Sequence, residues 1–441
     1  MFYRLTYPLF LPIIILFFAS GSLIAQNEFT GYYRFESGLL LNKDSDFLYN
    51  RHVIQPTFES GSDFYSIKIT GQLRQNLSTP SIESLEFKLR EAKIDLLFED
   101  FDVTIGQQYI VWGRTDATQI HDIITPMDLS EFLTQDFSDL RQGVTAVNFQ
   151  YFRTNNSFQF IAIPTFVSSK LPDQDSRWSY FPSETTTNYL PEKERRNRIR
   201  DTQFAFRWNN RTSLKLDLDL SLYSGFSPQP SLRKSISSFT VPIVLDVTPE
   251  YQRANALMFG AEYRITNSFS LLLEQAYWLK RSFDFIPSEL RSSNPNPSTV
   301  LPILLSTQES GFLDSSPLLE SMVGIKFTAA DINVSLQYVG SYITKYNDSF
   351  LQDEYYQFIS ALLSKTSQNQ RFQYRVLSRY NINGPDFWLN PNINYAVYDA
   401  VSISGGMHYF TGKNTDPFYG HINFANYEKN TFTYLKLTAY W

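Results

Sequence analysis

From Leu214 to Tyr223 the chain alternates with a period of two: Leu214, Leu216, Leu218, Leu220 and Leu222 share one parity, and Lys215, Asp217, Asp219 and Ser221 share the other. That period predicts an extended strand with one apolar and one wettable face. The same pattern sets Tyr65, Ile67 and Ile69 against Ser66, Lys68 and Thr70, and Ile332, Val334, Leu336 and Tyr338 against Asn333, Ser335 and Gln337. A face of leucines opposite a face of charges suits a wall between lipid and water better than the half-buried strand of a soluble sandwich. Between Ser84 and Phe98 the apolar parity changes, from Leu85, Phe87 and Leu89 to Ala92, Ile94 and Leu96. This predicts a bulge near Arg90–Glu91.

Polar turn sequences separate the strands: Gly61-Ser62-Asp63, Glu99-Asp100, Thr154-Asn155-Asn156, Asn209-Asn210-Arg211, Thr266-Asn267-Ser268, Ala330-Asp331 and Thr366–Gln370. Long segments near Arg114–Gln142, Ser168–Arg200, Gly225–Arg253 and Ser282–Leu319 alternate with them and are expected to be extracellular or folded into the lumen. Short connections at one end and long ones at the other define an all-β, up-and-down antiparallel transmembrane barrel. The last strands fall near Tyr355–Ser364, Arg371–Asn381, Phe387–Tyr398, Val401–Thr411 and Thr431–Trp441, giving eighteen, or sixteen if Tyr355–Ser364 is a helix within a loop.

Both ends of the chain bear on its destination. The final strand, TFTYLKLTAYW, places Thr433, Leu435, Leu437, Ala439 and Trp441 on one face and ends on an aromatic. It resembles the C-terminal signal of bacterial outer-membrane β-barrels, which implies that the barrel-assembly machinery is a partner through Thr431–Trp441. At the other end Arg4, an apolar run from Leu9 to Phe18 and the small residues Ala19 to Ser22 read as a secretory signal peptide cut after Ala25. The run is short and interrupted by Pro12, which disfavours a membrane anchor. Residues 26–441 are then the barrel.

Aromatics make up 16% of the chain, as girdles at two membrane interfaces require, and alternation hides its apolar residues from hydropathy averaging. The absence of Cys excludes disulfides and thiolate metal sites, and a net charge of −6 argues against nucleic acid as a partner. His52, His121, His408 and His421 lack metal-ligand spacing. No hydrolase, zinc-protease or phosphate-loop motif occurs, so neither enzyme activity nor a cofactor is implied.

Gly106 to Phe132 read GQQYIVWGRTDATQIHDIITPMDLSEF, a strand expected to end in Trp-Gly-Arg and a long polar segment after it. Gly106, Gln107, Gln108, Trp112, Gly113, Pro126, Asp128 and Leu129 resemble the shared core of a family of porin-like bacterial outer-membrane proteins. That core has a G-[QR]-Q strand, W-G and a later P-x-D-[LV], with Asn usual where this chain has Thr125. By strand count the segment joins strands five and six. Two placements follow: an inward constriction that brings Arg114, Asp116, His121, Asp122, Asp128, Glu131, Asp136, Asp139 and Arg141 to a permeation path, or an external cap. Lys68, Glu86, Lys88, Lys215, Asp217 and Asp219 are expected to face the lumen.

The basic run Lys193–Arg200 is either an outer-rim contact for lipopolysaccharide phosphates and anionic solutes or a solvated loop. Phe239–Leu245 and Val300–Leu305 are apolar, suiting a lid, a greasy entry path or mutual packing. Three functions remain in play. The first is an outer-membrane channel of a Gram-negative bacterium for small solutes. The second is a conduit for lipid or hydrophobic compounds working with an export system, and the third a scaffold binding periplasmic or extracellular protein partners.

Overall fold

The computed structural model describes residues 26–41, 46–77, 85–179, 187–192, 199–213, 215–238, 244–291, 297–413 and 423–441. The signal-peptide segment, Lys193–Arg198, Phe239–Ile243 and His421 lie outside them.

Eighteen strands form one sheet that closes on itself. In chain order they are β1 (Gln26–Leu40), β2 (Phe47–Ser62), β3 (Tyr65–Asn76), β4 (Leu85–Leu97), β5 (Phe101–Gln108), β6 (Val144–Arg153), β7 (Asn156–Ile163), β9 (Gln203–Ser213) and β10 (Leu216–Phe226). The circuit continues through β13 (Arg253–Thr266), β14 (Phe269–Asp284), β15 (Leu313–Ala329), β16 (Ile332–Ile343), β17 (Tyr355–Thr366), β18 (Phe372–Asn381), β19 (Asp386–Tyr398), β20 (Val401–Gly412) and β21 (Phe432–Tyr440). Each strand pairs antiparallel with the next, and β21 closes onto β1 from Tyr32↔Tyr440 to Leu40↔Phe432. Closure satisfies every ladder edge, which a lipid-exposed wall requires.

The alternation sets which face is which. On β10 Leu220 and Leu222 are exposed on the outer wall while Asp219, Ser221 and Tyr223 are buried within. On β3 Ile69 and Leu73 face out, and Thr70, Gln72 and Arg74 face in. The expected bulge is present: Thr70 pairs with Glu91 and Gly71 with Leu89, so Arg90 is the extra residue and both phases of β4 keep their apolar side chains outward. Tyr355–Thr366 is a barrel strand, which settles the count at eighteen.

Tight turns lie at the end of the barrel where β1 begins and β21 ends. Thr154, Ala330 and Asp331 take the left-handed backbone that two-residue hairpins favour. The turn expected at Asn209–Arg211 lies inside β9 instead. Asn210 and Trp208 donate to Asn156 Oδ1 on β7 at 2.7 and 2.9 Å, so the Asn210 amide serves side-chain bonding across strands and not a turn. Beyond the opposite rim, β11 (Ser231–Ser238), β12 (Val244–Glu250) and β8 (Thr187–Tyr189) make a small separate sheet. Val244 and Leu245 belong to that sheet, and the apolar run at 300–305 lies in the helix Pro297–Ser310.

Candidate functional site

The connection from β5 to β6, residues 109–143, does not stay at the rim. Its side chains and main chain bond to inward-facing residues on strands all round the barrel, so it crosses the interior. The strand stops at Gln108 rather than at Trp-Gly-Arg, and Trp112, Gly113 and Arg114 begin the crossing. Gly113 has φ of +96°, a conformation that favours glycine, and packs against the Glu274 carboxylate of β14.

Three groups of contacts hold it. The first half buries Ile110, Trp112, Ile120, Ile123 and Ile124 against the inner faces of β6 to β17, among them Ile161, Met258, Trp278 and Met322. A hydrogen-bonded chain fixes the root: Trp112 Nε1 donates to Gln159 Oε1 at 2.9 Å, Gln159 Nε2 to Asn148 Oδ1 at 3.0 Å, and Gln108 Nε2 to the Ala146 carbonyl at 3.1 Å. Thr125 both accepts from Ile110 N (2.9 Å) and donates to Ile110 O (2.8 Å), pinning the two limbs of the loop together just before Pro126.

At the far point the loop is charged. Arg114 pairs with Asp219 on β10, its main-chain N–H donates to Glu274, and its carbonyl accepts from Gln337 Nε2 on β16 at 3.0 Å. Asp116 N donates to Gln337 Oε1 at 2.9 Å, and its carboxylate accepts from the Ser335 hydroxyl. His121 is fully buried, with Nε2 2.9 Å from Gln275 O and Nδ1 3.4 Å from Asp219 Oδ1. Burial opposes its protonation, yet Asp219 and Glu274 outweigh that and raise its pKa above the ordinary value. Asp122 takes the Trp112 N–H and a 2.7 Å bond from Arg141, but burial dominates and raises its pKa.

The return limb meets a cationic wall on β1 to β4 and β21. Glu131 bridges Arg51 and Arg74, Asp139 pairs with Arg34 and accepts from Gln72 at 3.2 Å, and Asp136 accepts from Lys436 at 2.7 Å. Lys88 donates to Asp128 at 2.6 Å. Burial works against these carboxylates, but the guanidinium groups hold Glu131 and Asp139 below the usual range. For Asp128 burial is likewise overcome, and Lys88 with the Ser130 hydroxyl lowers its pKa to about 2. Arg90, the bulge residue, donates to the carbonyls of Ser138 and Asp139 in the short helix Phe137–Leu140.

All nine loop residues singled out from the sequence are therefore inside the barrel, each with a wall or loop partner. Among the lumen candidates, Lys68 joins Glu59 and Glu91, Glu86 joins Lys88 and Lys170, and Asp217 lies 3.5 Å from Arg211. Lys215 is a correction: it sits exposed in the turn before β10, because that strand begins at Leu216. Of the motif residues, Gln107 Nε2 donates to the Leu89 carbonyl at 2.6 Å beside the bulge. A Cβ on Gly106, φ +125°, would overlap the Ala92 carbonyl. Pro126 O accepts from Gln142 N at 2.9 Å, and Leu129 N donates to Lys170 O at 2.7 Å.

That last bond reveals a second inward segment, part of the long stretch near Ser168–Arg200 for which the sequence leaves both an extracellular and an inward placement open. Residues 164–179 run beside the loop: Lys170 N donates to Met127 O at 2.9 Å, and Trp178 stacks on Phe132 within a cluster of Phe410, Phe424, Tyr427 and Phe432. The wall cations Arg34, Arg51, Arg74 and Lys436 were missed as site residues, although each sits at the inward parity of its strand.

No family model and no curated protein sequence matches the chain. Among solved structures it is similar to Pseudomonas aeruginosa OccK3 (OpdO), at 9% identity over 94% of this chain and 95% of that one, with a TM-score of 0.54. It is similar to Acinetobacter baumannii OccAB4 at 10% identity, covering 95% and 97%, with a TM-score of 0.52. A third, Pseudomonas aeruginosa OpdK with vanillate, matches at 8% identity, covering 95% and 98%, with a TM-score of 0.50. At such identities the likeness is one of fold: this chain is an antiparallel eighteen-stranded barrel of the architecture seen in those proteins.

Proposed function

We propose that the protein is a porin-like channel of the bacterial outer membrane for diffusion or selective passage of small solutes, with the loop 109–143 as its constriction. One observation carries this reading: the loop reaches β16, where Asp116 and Arg114 bond to Ser335 and Gln337, and so divides the cross-section of the lumen. A barrel of eighteen strands encloses a water-filled space wide enough to need such a divider. Charges on the divider and on the wall set solute preference through their field and the width left between them. The solved barrels of like fold support the reading, one of them holding the small carboxylate vanillate. Gly106, Gln107, Trp112, Gly113, Pro126 and Asp128 serve in it as the framework that turns the loop inward.

Single-channel recording of the purified protein in planar bilayers tests it. Steady ion conductance that increases when Asp116–Asp136 is deleted is the expected result. Silence in both the intact and the deleted protein overturns the channel.

A further inference from the structure

His121 lies at the junction of the loop's apolar half and its charged tip, and both of its ring nitrogens face acceptors. Gln275 O is a main-chain carbonyl, so the 2.9 Å contact requires a proton on Nε2. Asp219 Oδ1 stands 3.4 Å from Nδ1, an ion-pair separation, and the same carboxylate is already engaged by Arg114 and by Arg207 at 3.5 Å. A lone pair on Nδ1 would face that carboxylate's negative charge. No hydrogen bond joins Nδ1 to Asp219 at that separation, so the contact is one of charge. Only the imidazolium keeps both the Nε2 bond to Gln275 O and an attraction to the Asp219 carboxylate. Every packed element contributes to its field: Arg114 and Asp122 from the loop, Arg207 from β9, Asp219 from β10, Glu274 from β14 and Glu320 from β15, the last accepting from Trp278 Nε1 at 2.7 Å.

We propose that His121 is a proton-dependent latch on the constriction: its imidazolium seats the loop against β10 and β14, and loss of that proton as pH rises frees the segment from Arg114 to Ile124. The inference rests on the channel reading for its consequence but not for its test. The sign follows from linkage. A histidine whose pKa is higher in the seated state than its ordinary 6.5 gives seating that is complete below 6.5 and is lost as pH rises through the seated-state value. Each unit of that elevation multiplies the released fraction about tenfold at high pH.

Hydrogen–deuterium exchange of the full-length protein in detergent, corrected for intrinsic rates and followed from about pH 5.5 to about pH 9 across the histidine range, reads the latch directly. Exchange in 114–124 is expected to accelerate through a single-proton midpoint above 6.5. His121→Gln should abolish the transition, and Asp219→Asn should move the midpoint down. A flat profile in the unmutated protein overturns the proposal even where a variant fails to fold, as does an unchanged transition in His121→Gln. Bilayer recording over the same range separates the two readings: exchange that titrates in a protein that never conducts upholds the latch and removes the channel.

Discussion

Asp116 and Ser335 are hydrogen-bonded across the barrel, the Ser335 hydroxyl donating to Asp116 Oδ2, although the loop that carries Asp116 is rooted eight strands away on β5. Gln337 reinforces the contact by accepting from Asp116 N at 2.9 Å and donating to Arg114 O at 3.0 Å. A loop fixed only at its root would sample many positions. Fixed also at its tip, it holds one position across the barrel.

Removing the tip anchor should loosen the loop without touching its root. Gln337→Leu leaves the Arg114 carbonyl and the Asp116 N–H without their partner, a loss of about 1–3 kcal/mol for buried groups. That is roughly a fivefold to hundredfold rise in the released fraction, at 1.4 kcal/mol per factor of ten. Single-channel records should show new flicker between conductance levels, while the thermal unfolding of the barrel itself shifts little.

The loop's carboxylates neutralise a cationic wall. Arg51 is buried between Glu36 and Glu131, and Arg34 between Glu36 and Asp139. Glu131→Ala strips Arg51 and Arg74 of a shared partner in a buried setting, with an expected cost of about 3–5 kcal/mol. Urea unfolding in lipid vesicles measures that loss. Glu131→Gln combined with Asp139→Asn should also shift the reversal potential in a salt gradient toward anions, because the uncovered guanidinium groups then dominate the local field.

How much of this was legible beforehand depended on the kind of signal. Alternation gives the inward parity of a strand, which Lys68, Asp217 and Asp219 occupy, and the parity change between Ser84 and Phe98 points to a bulge near Arg90–Glu91, where Arg90 is the extra residue. Alternation says nothing about which inward residue meets which. The pairing of Glu131 with Arg51, or of His121 with Asp219, depends on a non-periodic loop folding back across the whole ring of strands. Lys170 and Trp178 escaped for the same reason, since irregular chain carries no period. Asn209-Asn210-Arg211 misled because the same amide side chains that build turns also bond between strands.

Acid should unseat the return limb by a route separate from His121. Asp128 has its pKa depressed to about 2 by Lys88 and Ser130 against the opposing effect of burial, and Asp139 and Glu131 are lowered too. A depressed carboxylate contributes stability that is fully present above its ordinary value of 3.8 and is lost as pH falls toward its folded value of about 2. Protection of residues 126–141 from hydrogen exchange should therefore stay constant down to about pH 4, near the ordinary carboxylate range, and fall below it. Lys88→Met should make that limb labile at neutral pH, since it leaves Asp128 buried without its main partner.

The outer wall offers a test of what surrounds it. Leu220 and Leu222 of β10 are exposed outward, with Asp219 and Ser221 buried between and beside them on the opposite face. In water an exposed Leu→Arg change falls within about 0.5 kcal/mol of neutral. On a lipid-facing strand the same change costs about 2–4 kcal/mol at the bilayer midplane and about 0–1 near the interface. Leu218→Arg, Leu220→Arg and Leu222→Arg, unfolded in vesicles, should thus differ according to depth along a single strand. A graded penalty locates the membrane on this wall; three neutral substitutions would mean that water, not lipid, covers it.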